Sequence, residues 1–192
     1  MYAASFMNNL TRKGIKLSWL LRHDSESFNK GLIDEHGWRR VNEIVKDYGF
    51  SEALIQEIVA TNNKQRYEFN SNKTMIRARQ GHSIPVDVEL KEATDITKDR
   101  PYLWHGTSER FIESIKTQGL VTTPGSRLYV HLSGDKDTAY KVGQRHGGTT
   151  IVICIDAYQM ILDDKKIYIS NNGVYNVIKV EPEYFVSITR GV

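Results

Sequence analysis

An α+β fold in two lobes is predicted by three observations. Apolar residues recur at helical spacing through the first sixty residues. The period then changes to alternation near residue 66, and beyond residue 100 short strand-like runs outnumber helical stretches. Between the two halves, residues 83–101 hold two of the four prolines, Pro85 and Pro101, and a charged run. The boundary is expected near Thr94–Asp99, dividing the chain into lobes 1–94 and 95–192.

Each element has its own warrant. Leu10, Leu17, Leu20 and Leu21 form an apolar stripe that predicts a helix over 8–23. Val41, Ile44, Val45 and Tyr48 have helical spacing, and Gly49 is a natural stop. Ser51 is placed to cap a third helix that buries Leu54, Ile55, Ile58 and Val59. Arg66–Phe69 alternates, Asn70–Lys73 is turn chemistry, and Thr74–Ala78 resumes a strand. Three helices followed by a hairpin is the order of a winged helix-turn-helix lobe. In the second lobe Leu103-Trp104 reads as a short strand closed by His105-Gly106-Thr107. Ser108 is placed to cap a helix with Phe111, Ile112 and Ile115 inside and Gly119 at its end. Strands are expected at Tyr129–Leu132, Thr149–Ile155, Lys166–Ile169, Gly173–Val177 and Tyr184–Ile188, with one more helix near Lys136–Val142.

Bulk properties narrow the class. The 192 residues, 40% hydrophobic and 26% charged, have the composition of a soluble globular protein. No run of about 18 apolar residues is present, so no transmembrane helix is expected. The N-terminus lacks the charged head and apolar core of a signal peptide, which points to the cytoplasm. Cys154 is the only cysteine and lies in the apolar run Ile151–Ile155, which excludes an internal disulfide and cysteine zinc sites and predicts a buried, inert thiol. A net charge of +3 says little about a nucleic-acid partner. Locally, Lys64, Arg66, Lys73, Arg77 and Arg79 face the single acid Glu68, a pattern that suits either a phosphate-binding face or a solvated hairpin.

The candidate chemistry is cationic. Leu20-Leu21-Arg22-His23 carries the apolar stripe into two side chains that both bind phosphate: a planar donor fork and an imidazole that exchanges protons near neutral pH. Cations also simply suit a helix C-terminus. His105-Gly106-Thr107 offers a hydroxyl and a glycine where backbone can approach a ligand closely, although a structural turn uses the same residues. In a strand, Arg127, Tyr129, His131 and Ser133 share one face and Leu128, Val130 and Leu132 the other, as in a ligand cleft or a solvated edge. Gln80-Gly81-His82-Ser83 can bond phosphate or sugar oxygens, or form a polar turn. Lys141–Gly148 ends a helix in a basic segment. No Walker loop, Gly-x-Gly-x-x-Gly or His-Glu-x-x-His is present, the six histidines are scattered, and no metal is expected.

Taken together, these motifs resemble the RNA 2′-phosphotransferases, the tRNA 2′-phosphotransferase family. The resemblance runs from about Leu17 to Phe185. It rests on the order of Leu-Leu-Arg-His at 20–23, Gly37-Trp38, Lys64-Gln65-Arg66-Tyr67, Gln80–Ser83, His105-Gly106-Thr107, Arg127 with Tyr129–Ser133, Lys141-Val142-Gly143 with Arg145-His146-Gly147, and Asn172–Tyr175. It implies a winged-helix RNA lobe and an ADP-ribosyltransferase-like lobe with a cleft between them. The implied reaction has two steps. The internal 2′-phosphate of an RNA attacks C1″ of NAD and expels nicotinamide. The ribose O2″ then attacks the phosphorus, leaving a 2′-hydroxyl and ADP-ribose 1″,2″-cyclic phosphate.

Carried over residue by residue, the resemblance implies a catalytic set of Arg22, His23, Arg66 and Arg127 converging on that cleft. It places His105, Gly106, Thr107, His131 and Ser133 around NAD, Arg145 and His146 on its adenylate side, and Lys64, Gln80, His82 and Ser83 against RNA phosphates. A monomer acting on tRNA-like RNA, consuming NAD and engaging no membrane, is the implied form. Two positions depart from the family pattern: Asp24-Ser25-Glu26 stands where many members have an early proline, and Asn171 precedes Asn172-Gly173-Val174 where members often have Glu. Transfer of ADP-ribose to protein or to nucleic-acid terminal phosphates is the alternative reading of the same lobe. A third is a non-enzymatic winged-helix regulator, which leaves the polar face at Arg127–Ser133 unexplained.

Overall fold

The computed structural model describes residues 2–190, with side chains from residue 9 onward. The chain is α+β and separates into two compact units, Met1–Glu89 and Leu90–Val192. The change of unit falls slightly before residue 94 because Lys91-Glu92 already pair in a sheet of the second unit.

The first unit begins with helix α1, Tyr2–Arg22, longer than its apolar stripe implies. Leu17, Leu20 and Leu21 are fully buried on one side of it. A five-residue helix α2, Ser25–Asn29, follows at once, N-capped by Asp24, whose carboxylate accepts from the Ser27 amide. Strand β1, Arg39–Arg40, leads into α3, Val41–Tyr48, which ends at Gly49 in the left-handed region, φ 65°. Ser51 caps α4, Glu52–Ala60, accepting from the Leu54 amide as its hydroxyl predicts. Strands β2, Tyr67–Phe69, and β3, Met75–Ala78, form the expected hairpin, and β1 adds to it in the order β1-β3-β2. Neither α2 nor β1 is foreshadowed in the sequence, since five and two residues are too short to show a period. The core joins the α1 leucines to Val41, Ile44, Phe50, Ile55, Ile58, Tyr67, Ile76 and Ala78. A smaller cluster joins Ile33, Ile84 and Val86, with Phe28 and Val88 packed against it.

The second unit is built on an antiparallel sheet in which β8, Thr150–Asp156, lies between β5, Tyr102–Ser108, and β12, Phe185–Arg190. A second sheet has the order β4, Lys91–Glu92; β9, Tyr168–Ile169; β10, Tyr175–Val177; β7, Val130–Leu132. Leu120–Val121 (β6) pairs with Lys179–Val180 (β11). Helices α5, Ile112–Gln118, α6, Lys136–Gly143, and α7, Ala157–Leu162, complete the unit. Helix α7 is not foreshadowed in the sequence, where no element is expected over its six residues beyond the strand Thr149–Ile155. The core is aliphatic, centred on Ile151, Ile153 and Ile155 with Leu103, Leu132, Val177 and Met160. Among the described residues no helix is long and apolar enough to cross a membrane.

Three local expectations are corrected here. His105-Gly106-Thr107 does not end a strand: β5 continues to Ser108, each residue paired with β8. The Ser108 hydroxyl does not cap α5 but donates to the Gly147 carbonyl at 2.8 Å. Phe111 is 41% exposed rather than inside the helix packing, because a 3-10 turn over Glu109–Phe111 rotates it outward before α5 begins.

Candidate active site

In the first unit the candidate site grows from the C-terminus of α1. The last carbonyls of a helix lack intrahelical donors. Here the Ser83 and Ile84 amides reach the Arg22 carbonyl at 2.9 and 3.3 Å, and the Arg39 guanidinium donates to the Leu20 carbonyl at 3.1 Å. The Arg22 and His23 side chains therefore leave a helix end that is closed by the protein. Arg22 Nη1 donates to Ser18 Oγ, one turn back, at 2.8 Å, and its guanidinium lies 5.8 Å from the Tyr67 ring centroid. Arg66, immediately before Tyr67, opens β2. Its amide donates to Asn62 Oδ1 at 3.0 Å and its carbonyl accepts from the Arg79 amide at 2.9 Å.

His23 Nδ1 lies 2.9 Å from Ser83 Oγ, and that hydroxyl lies 3.5 Å from the Arg22 carbonyl. A carbonyl only accepts, so a hydroxyl turned toward it receives its own hydrogen bond from Nδ1–H. In that arrangement Nε2 carries the lone pair, the form in which a histidine takes up a proton.

Behind the pair is a buried ionic cluster that sequence reasoning does not find. Arg39 is fully buried. It donates to Asp24 at 2.9 Å, to Ser27 Oγ at 2.9 Å and to the Tyr48 hydroxyl at 3.1 Å. Burial alone would push the Asp24 carboxyl up, but hydrogen bonds from Ser27 and Arg39 outweigh it and hold it below the usual carboxylate range. An Arg-Arg pair ahead of a helix gives no sequence signal that its first member points inward. The departure from the family pattern at Asp24 is thus matched by a buried cation.

The basic run around the hairpin is partly neutralised. Arg77 is buried, pairs with Glu68 at 2.7 Å and Glu89 at 3.0 Å, and lies over the Trp38 ring. Arg79 lies 3.4 Å from Glu68. Of the RNA-contact candidates, Lys64 is exposed and Gln80 and Ser83 are half-buried. His82 is only 3% exposed and its Nε2 has no hydrogen-bond partner. Burial, followed by the charges of Arg22, His23 and Arg77, pushes its pKa down to about 3, so it is neutral at any physiological pH.

In the second unit the candidates gather where β5 meets β7. Trp104 and Ser133 exchange backbone hydrogen bonds at 2.9 and 2.7 Å. His105 Nδ1 donates to the His131 carbonyl at 2.9 Å. Burial lowers the His105 pKa, that hydrogen bond partly opposes it, and the charges of His146 and Arg127 lower it further. A neutral His105 with its proton on Nδ1 presents Nε2 as an acceptor. The opposite tautomer holds at His131: Arg127 Nη1, a donor only, lies 3.2 Å from His131 Nδ1, so the ring proton is on Nε2. One acceptor and one donor imidazole are thereby fixed on neighbouring strands. Arg127 itself precedes β7 and is exposed.

Gly106 serves packing. A Cβ there would sit 1.7 Å from the Ala139 carbonyl oxygen, and one at Gly143 would meet Thr150 Cγ2 at 2.7 Å. These two glycines let α6 cross β5 at backbone contact, which also buries Thr107. After α6, Arg145 and His146 are exposed on a 3-10 turn, Gln144–His146. Arg110 donates to the His146 carbonyl at 3.1 Å, and Phe111 meets the His146 ring edge-on with centroids 6.2 Å apart. Asn171 is exposed beside Gly173, whose φ is 78°. Cys154 is half-buried rather than buried, and burial raises its thiol pKa. Among the described residues no group of three or more His, Cys, Asp or Glu is placed to hold a metal ion.

Comparison with known proteins gives the class. Residues 9–177 match the model of the RNA 2′-phosphotransferase, Tpt1 / KptA family, and the chain belongs to that family. It is therefore a transferase. The relatives in that group include the probable RNA 2′-phosphotransferase of Fusobacterium nucleatum, 40% identical over 174 residues, covering 88% of this chain and 93% of the relative. The protein of the same name from Flavobacterium johnsoniae is 41% identical over 185 residues, 93% of this chain and 97% of its own length. That of Acaryochloris marina is 39% identical over 177 residues, 90% and 93%.

Proposed function

We propose that this protein removes an internal RNA 2′-phosphate in an NAD-consuming, two-step transfer. Family membership supports RNA 2′-phosphate as the substrate. The observation that supports the mechanism is a set of site residues made of arginines and imidazoles, with His23 Nδ1 2.9 Å from Ser83 Oγ and His105 Nδ1 2.9 Å from the His131 carbonyl. Such groups hold phosphate and move protons, and substrate and NAD supply the nucleophiles. NAD supplies the electrophile, ribose C1″, once nicotinamide departs. Arg22 and Arg66 hold the phosphate through charge-assisted bonds, which aim one of its oxygens at C1″. Ser83 fixes His23 so that Nε2 faces the phosphate. In the second step Nε2 takes up the proton that the ribose O2″–H loses as it attacks the phosphorus and passes it to the RNA O2′ as that oxygen leaves. Arg127 stabilises the charge that builds on the phosphorus in the same step.

On the NAD side, the acceptor face of His105 suits a ribose hydroxyl and the Ser133 hydroxyl suits carbonyl and hydroxyl oxygens of the cofactor, while His131, whose Nε2 is buried, lines the cleft and holds His105 through its carbonyl. Gly106 and Thr107 shape the strand from behind. Arg145 and His146 flank the adenylate. Lys64 and Gln80 take RNA phosphates, while neutral, buried His82 lies near Arg22, His23 and Arg77 and acts from within the unit. In this reading the first unit is the winged-helix RNA lobe and the second the ADP-ribosyltransferase-like lobe of a cytoplasmic monomer acting on tRNA-like RNA.

The test is product analysis with a 2′-phosphorylated oligonucleotide. Phosphate loss is expected only with NAD, yielding nicotinamide and ADP-ribose 1″,2″-cyclic phosphate. Arg127→Ala is expected to slow the second step, so that RNA carrying phospho-ADP-ribose accumulates. Equal phosphate loss without NAD sinks the mechanism, and stable labelling of protein without cyclic phosphate favours the alternative transferase.

A further inference from the structure

The solvent face of α1 carries a feature that the phosphate chemistry does not use. Trp19 is 51% exposed and Ile15, one turn before it, is 68% exposed. Residues on this helix advance by about 100° each. On that wheel Arg12, Ile15, Trp19, Arg22 and His23 fall within one sector of about 100°, opposite the buried Leu17, Leu20 and Leu21. Trp19 lies between the directions of Arg22 and His23, one turn closer to the N-terminus, a separation of about 5.4 Å. An indole is a poor residue to leave in water, and the core-facing side of α1 is already filled by leucine. Its place is on the face that the RNA would meet if Arg22 and His23 hold the 2′-phosphate.

We propose that Trp19 is a stacking platform for an RNA base flanking the phosphorylated nucleotide, with Ile15 extending its apolar surface and Arg12 meeting the next backbone phosphate. This rests on the assignment of Arg22 and His23 to the RNA 2′-phosphate. Three features select this occupant. Single-stranded RNA is recognised by stacking unpaired bases on aromatic faces. The cations at both ends of the stripe, Arg12 and Arg22, complement a polyanion. Every base has a π-face, so the platform adds affinity without restricting sequence, as suits an enzyme that reads a modification and not a code.

The experiment compares full-length wild type with Trp19→Ala, Trp19→Leu and Trp19→Phe on 2′-phosphorylated oligonucleotides that carry, or lack, the base on either side of the modified nucleotide. Trp19→Ala and Trp19→Leu are expected to raise KM for the complete RNA about tenfold, the scale of one lost base stack. kcat and KM for NAD stay unchanged, and Trp19→Phe recovers most of the loss. On the substrate lacking the stacked base the wild type falls to the level of Trp19→Ala. The platform is overturned if Trp19→Ala matches wild type on the complete RNA. It is also overturned if the loss persists unchanged on both base-free substrates, or if Leu serves as well as Phe. Should the wild type itself leave the 2′-phosphate in place with NAD present, the phosphate assignment fails together with the platform, an outcome distinct from an active wild type that Trp19→Ala equals.

Discussion

His82 and Arg39 are two buried basic side chains in one small unit, and they resolve their burial in opposite ways. His82 gives up its charge, with a pKa pushed down to about 3 from 6.5. The unfolded chain therefore binds a proton that the folded chain does not, from pH 6.5 down to about 3. Stability is present above pH 6.5 and is lost as pH falls through that window, at about 1.4 kcal/mol per pH unit for one group. Urea denaturation of His82→Leu between pH 7 and pH 4 is expected to show a shallower decline than wild type by about that slope. An equal slope would mean that His82 is not buried neutral. Arg39 keeps its charge and is compensated by Asp24, Ser27 and Tyr48. Arg39→Met strands a buried carboxylate and is expected to destabilise by about 3–5 kcal/mol. Adding Asp24→Asn, which keeps the cap on α2 but removes the charge, is expected to recover a large part of this in the same denaturation assay. A double variant no more stable than Arg39→Met would refute the ion-pair account.

Among the elements, the crossing of α6 on β5 has the clearest single-residue test. A Cβ on Gly106 meets backbone, the Ala139 carbonyl oxygen, which cannot swing away as a side chain can. Gly106→Ala is thus expected to lower stability by about 3 kcal/mol or more, or to abolish soluble expression. Gly125 is the internal comparison. Its φ is +77° and a Cβ added there would have nothing within 4 Å, so Gly125→Ala strains only the backbone, by about 1–2 kcal/mol. Thermal melts in which both variants fall equally would show that the helix–strand contact tolerates a methyl group. In the sequence Gly106 reads as an opening for ligand, whereas the space is filled by a helix whose arrival the local sequence does not announce.

Among the described residues each unit has its own main hydrophobic core, and the first unit has a smaller second cluster around Ile33, Ile84 and Val86. The first unit closes its own helix ends and buries its own ion pair. Residues 1–89 expressed alone are expected to give a helical circular-dichroism spectrum and a cooperative urea transition. A non-cooperative, denaturant-insensitive signal would show that this core depends on the rest of the chain.

Sequence alone determined the α+β class, the capped helices α3 and α4, the hairpin, most strands of the second unit and the ordered motif set that identifies the family. Each of these rests on local signals: periodicity, cap and turn chemistry, and short motifs in fixed order. Only the tertiary structure decided which polar residues are turned inward. Arg39 and Arg40 are adjacent and alike in type, yet one is fully buried and the other exposed. Ser83 is legible as a hydroxyl near phosphate-binding groups, but its hydrogen bond to His23 spans sixty positions of chain. The tautomers of His105 and His131 follow from a carbonyl and a guanidinium brought up from elsewhere in the second unit. Burial and proton position depend on which distant groups fill the remaining coordination of a side chain, and that is fixed by packing, which no local pattern encodes.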